Sequence, residues 1–124
     1  MSTSETICAL ASSSGNASVA IIRISGPKSL SIAQHITKTS LKPRYAHFTS
    51  FYDENDQAID QGISIYFKAP HSFTGEDVVE LQPHGNPYVC QQILQQATQK
   101  GARLAIAGEF SERAFLNGKL DLTQ

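Results

Sequence analysis

The feature that most constrains this chain is the way its apolar residues change period. They recur at every second position in several short runs and at helical spacing in only a few. Residues 6–11, 19–25, 45–52, 58–67, 77–82 and 102–106 read as strands. Leu30, Ile32, Ala33 and Ile36 form one helical stripe, and Val89, Ile93, Leu94 and Ala97 form another. Asn86-Pro87 is a helix start, with Asn as N-cap and Pro at the first helical position, and Lys100-Gly101 closes that helix. The polar turn Asp53-Glu54-Asn55-Asp56 joins two strands directly as a hairpin. Strands joined without intervening helices exclude an all-parallel βα architecture. The expectation is α+β: a mixed β-sheet of about five or six strands, with helices at 29–37 and 87–100 packed mainly on one face.

The second strand is odd, because Arg23 stands in the middle of an apolar run. Alternation puts Ile22 and Ile24 on one face and Arg23 on the other with Ile21 and Ser25. On the strand at 77–82 the same rule separates Val79 and Leu81 from Val78, Glu80 and Gln82. Along 58–67, Ile63, Ile65 and Phe67 alternate. Residues 69–75 are a connection, and 12–17 (SSSGNA) is turn chemistry. Residues 108–116 read as a short helix with Phe110 and Ala114 turned inward and Phe115 open to either assignment. Asn117-Gly118 stops it, and 121–124 reads as the opening of a further helix.

With 124 residues there is room for one core, and 40% hydrophobic residues suffice to fill it. Ten Lys and Arg against eleven Asp and Glu leave a net charge of -1, which argues against a polybasic nucleic-acid or membrane-surface module. No phosphate-binding loop, dinucleotide fingerprint, zinc-protease helix or nucleophile elbow occurs; Gly118-Lys119 is the only Gly-Lys pair and is followed by Leu120. The four histidines are scattered, so no metal site is expected. Cys8 and Cys90 lack CxxC spacing and lie in apolar runs, which fits buried thiols in a reduced, cytoplasmic protein.

Four blocks in sequence order carry a resemblance: IIRISGP (21–27), LKPRYAHF (41–48), PHSFTGEDVVELQ (70–82) and GEFSERAFLNGKLDL (108–122). In them the chain resembles the N-terminal domain of tRNA modification GTPases of the MnmE (TrmE) family. The resemblance implies a fold like the folate domain of glycine-cleavage aminomethyltransferases. It implies binding of 5-formyltetrahydrofolate or 5,10-methylenetetrahydrofolate, and a homodimer formed through this domain. It further implies that the whole protein works with a FAD-containing MnmG-type partner. Together they would install (carboxymethyl)aminomethyl groups at C5 of the wobble uridine of tRNA, with the folate supplying the one-carbon unit. GTP hydrolysis, with Mg and K ions, belongs to a G domain that these residues do not include, so the chain itself is not expected to hydrolyse GTP. Residues 1–120 are then the folate-binding and dimerisation domain, and 121–124 the start of a connection to helical and G domains.

Three residues carry over, and none is assigned a catalytic role. Glu80, in the family's V-E-L-Q stretch, is expected to accept the paired N3–H and 2-amino donors of a pterin; otherwise it is a solvated strand carboxylate. Arg23, in I-I-R-I-S-G, is expected to pair with a folate carboxylate or lie flat on the ring system; its alternative is a strand Arg whose head reaches water or pairs with a nearby acid. Lys119, in L-N-x-K-L-D-L, is expected to meet the carboxyl tail or polar ring edge. Thr74, Gly75 and Glu76 lie in a loop able to close over a ligand or to be a plain turn, and Glu109, Glu112 and Arg113 read as local helix support. The chain departs from the family at 12–17, where P-P-G-R-G-G is frequent, at 82–86, where Q-G-H-G-G is, and at Gly118, where Asp is. The competing functions are a stand-alone aminomethyltransferase-like enzyme and a scaffold that only pairs two GTPase chains.

Overall fold

The computed structural model describes residues 5–11 and 19–118. Its elements in chain order are β1 (Thr6–Leu10), β2 (Ile22–Ser25), α1 (Ser29–Thr37), β3 (His47–Tyr52), β4 (Ala58–Phe67), β5 (Val78–Gln82), α2 (Pro87–Gln99), β6 (Ala102–Leu104) and α3 (Glu109–Leu116). The strands form one sheet in the order β3-β4-β5-β2-β1-β6. Every neighbouring pair is antiparallel except β1 and β6, so the sheet is mixed, as expected. The turns at 12–17 and the segment 121–124 lie outside the described residues.

Register puts the core on one face. Ile24 lies between Cys8 and Val79, and Ile22 between Leu10 and Leu81. Ile32, Ala33 and Ile36 of α1 and Val89, Ile93 and Ala97 of α2 join these sheet residues in one buried cluster. Each fully buried Ile, Leu or Val contributes about 1.5–3 kcal/mol relative to exposure. The capping reading at 86–87 holds: the Asn86 side chain accepts hydrogen bonds from the backbone N–H of Tyr88 (2.8 Å) and Val89 (3.4 Å).

The strand at 19–25 is shorter than its apolar run. Ala20 donates to the Pro83 carbonyl at 2.9 Å, but Pro83 has no N–H to return, so the continuous β2–β5 ladder is interrupted beyond Ile22 and Leu81 and resumes only as a single bridge between Val19 and His84. Along β4, the apolar set Ile63, Ile65 and Phe67 lies on the face away from α1 and α2. The core side carries Tyr66 and Ser64, and the Ser64 and Thr49 hydroxyls satisfy each other at 2.8 Å. Gly62 is required here, because a Cβ would stand 2.1 Å from the Gln82 carbonyl oxygen. On α3, Ala114 is buried while Phe115 is 40% exposed, which settles its orientation as outward.

Candidate functional site

The face of the sheet opposite α1 and α2 collects the polar residues that alternation sends away from the core. Arg23 and Glu80 are direct register partners across β2 and β5, flanked by Ala9 on β1 and Ile65 on β4. Arg23 Nε donates to Glu80 Oε2 at 2.9 Å, and the Gln82 side-chain amide donates to Glu80 Oε1 at 3.3 Å. The two charged side chains are 31% and 17% exposed, so the pair is partly desolvated yet reachable. A carboxylate offers about four acceptor positions, which leaves Glu80 capacity beyond these two bonds. A cavity of about 320 Å³ opens beside Arg23, with Ala9, Ala11, Ile106, Gly108 and Phe110 in its wall. Glu109 and Ser111 also line it, so the wall is mixed, with apolar surface for a flat ring and the Arg23 guanidinium for an acid group.

The structure therefore brings two of the three expected site residues together. Lys119 lies outside the described residues. The nearby Asn117 donates from its side-chain amide to the Thr74 carbonyl at 2.9 Å, which ties the end of α3 to the 68–77 connection.

That connection is anchored from beneath. Thr74 is fully buried, and its hydroxyl lies 2.8 Å from Ser25 Oγ; Ser25 Oγ also donates to Glu76 Oε1 at 2.7 Å. Arg113 Nη1 donates to Glu76 at 3.0 Å and to the Glu5 carbonyl at 2.8 Å. Thr74 and Glu76 thus hold the loop in place. Glu109 and Arg113 do make the local contact expected of them, at 3.5 Å, but their shorter bonds are tertiary. Glu109 accepts from Arg103 at 2.7 and 3.1 Å and from the Ile106 N–H at 3.0 Å. The Arg103 guanidinium, against a smaller opposing effect of burial, holds the Glu109 carboxyl below the usual range.

Phe73 is the residue that sequence pattern passes over. Its ring centre lies 5.8 Å from the Arg23 guanidinium carbon, and it is 43% exposed. Its only sequence signal is that it is the one large apolar side chain in the 69–75 connection. His84 stands apart from this cluster: its ring nitrogen lies 2.9 Å from Asp60 Oδ1 and its backbone N–H donates to Asp60 Oδ2 at 2.7 Å. Burial alone would raise the Asp60 pKa, and these His84 contacts reverse that and hold it low. Among the described residues no group of three or more His, Cys, Asp or Glu stands together as a metal site, and no helix is long and apolar enough to cross a membrane.

Comparison with known proteins gives a consistent result. The family described as the GTP-binding protein TrmE N-terminus matches residues 6–119. A tRNA modification GTPase MnmE from Saccharophagus degradans is 59% identical over 122 residues, 98% of this chain and 27% of the relative. The proteins of that name from Xylella fastidiosa and Francisella tularensis subsp. novicida are each 58% identical, over 97% and 100% of this chain and again 27% of their own length. The chain thus spans about a quarter of the relatives it matches.

Proposed function

The chain belongs to the TrmE N-terminal domain family, and on that premise we propose that it is the tetrahydrofolate-binding and homodimerising domain of a tRNA modification GTPase. The observation that carries the folate reading is the opposed Arg23–Glu80 pair on the sheet face away from α1 and α2, with Arg23 in the wall of a cavity of mixed apolar and polar lining. Glu80 accepts the adjacent N3–H and 2-amino donors of the pterin in two parallel charge-assisted bonds. Arg23 takes a folate carboxylate or lies flat on the ring system, and Lys119 meets the carboxyl tail or polar ring edge. Bound 5-formyl- or 5,10-methylenetetrahydrofolate supplies a one-carbon unit. The chain's own residues bind and orient it.

In the whole protein this unit serves modification at C5 of the wobble uridine of tRNA, together with a FAD-containing MnmG-type partner. GTP hydrolysis with Mg and K ions, and tRNA contact, belong to other parts of that assembly, which is cytoplasmic. The homodimer reading is supported by Phe48, 69% exposed on β3, which continues the half-buried row of Ile63, Ile65 and Phe67 on the sheet face away from α1 and α2. That same row favours the second reading, a scaffold that pairs chains without binding folate.

Amide NMR of the isotope-labelled chain separates the two. Added 5-formyltetrahydrofolate is expected to shift resonances around Arg23 and Glu80 and to leave those at the α1–α2 contact unchanged. Shifts confined to the helical side, or none at all, would contradict the folate reading.

A further inference from the structure

Phe73 leaves a large aromatic surface in water although the backbone on both sides of it is fixed. Thr74 is held by Ser25, Ser72 Oγ donates to the Glu76 carbonyl, and the Gly75 N–H donates to Ser72 Oγ at 3.0 Å. Glu76 is in turn held by Ser25 and Arg113. A single exposed aromatic is ordinary on a protein surface. Here, however, four loop residues are bonded so as to hold one ring outside the core, and that ring stands 5.8 Å from the guanidinium of Arg23, itself paired with Glu80.

We propose that Phe73 is a ligand-contacting residue of the folate site, its ring forming an aromatic wall against the planar ring system that Glu80 reads by its edge. This rests on the folate reading above. The two contacts are complementary: Glu80 selects the hydrogen-bonding edge of a heterocycle, and the ring of Phe73 selects its flatness by offset stacking. Arg23 lies over the same ring, where its cation is attracted to the electron-rich face. Ser25, Thr74, Glu76 and Arg113 are positioning residues, acting on the ligand through Phe73.

The test is calorimetric titration of the whole chain with 5-formyltetrahydrofolate in three forms: wild type, Phe73→Leu, which keeps apolar bulk without the ring, and Phe73→Tyr, which keeps the ring. Phe73→Leu is expected to weaken binding roughly tenfold with an unchanged melting temperature, and Phe73→Tyr to bind within a fewfold of wild type. A Leu variant that binds as tightly as wild type, or a Tyr variant as weak as Leu, overturns the role of Phe73 and leaves the folate reading standing. A wild-type chain that binds no folate overturns both.

Discussion

Glu109 shows how one side chain can look local in sequence and be tertiary in space. Spaced four residues from Arg113 it reads as helix support, yet its shortest side-chain bond, at 2.7 Å, and another at 3.1 Å go to Arg103 across the β6–α3 turn. Because Arg103 lowers its folded pKa, Glu109 adds stability that is present above the ordinary carboxylate range and is lost as pH falls through the lowered value. Asp60, also held low in the folded chain, acts in the same direction. Melting temperature should therefore fall as pH drops below about 5. Glu109→Gln should flatten that fall and lower stability at neutral pH, by an amount reduced because Arg103 is partly solvated. Urea unfolding at neutral and acid pH measures both, and unchanged neutral stability would contradict it. None of this was readable from spacing, since Arg103 and Glu76 meet α3 only once the chain has folded. Phe73 was hidden for the same reason: nothing in the run of 70–77 tells that its ring will stand over Arg23.

Element by element, legibility followed the strength of the local signal. The helix over Ser29–Thr37 and the strand over Ala58–Phe67 occupy the residues their periodicity marks. Asn86-Pro87 names its own helix start, since both the cap and the missing N–H act within one turn. Asn86→Ala should then lower stability by about 1 kcal/mol without changing the fold, read as a lower urea midpoint at constant slope; an unshifted midpoint would mean that the cap is not needed. Strand ends were less legible because partners decide them. Pro83 truncates β2 from across the sheet, and β6 is reduced to Ala102–Leu104 beside β1 before the chain turns away to α3. Which face of β4 enters the core was likewise not given by alternation alone. Its more apolar set faces away from α1 and α2, and Ser64 is accepted inside because Thr49, diagonal to it on β3, bonds its hydroxyl.

At the scale of the molecule, the sheet divides two tasks between its faces. One face is sealed by α1 and α2; the other, covered in part by α3 and the 68–77 connection, keeps an ion pair, an exposed ring, an open cavity and an apolar row within reach of a partner. Alternation gave the faces of Arg23 and Glu80 separately; that they are cross-strand partners came from the β2–β5 register, and their meaning from the resemblance of the surrounding blocks. The central claim is that this second face binds a reduced folate through Glu80. Titrating 5-formyltetrahydrofolate into the wild-type chain and into Glu80→Gln tests it most directly. The account predicts saturable binding by the wild type and a loss of roughly tenfold or more in the variant, where one acceptor becomes an amide donor and charge assistance is removed. A well-folded chain that takes up no folate, or a Glu80→Gln variant that binds it equally well, would contradict the account.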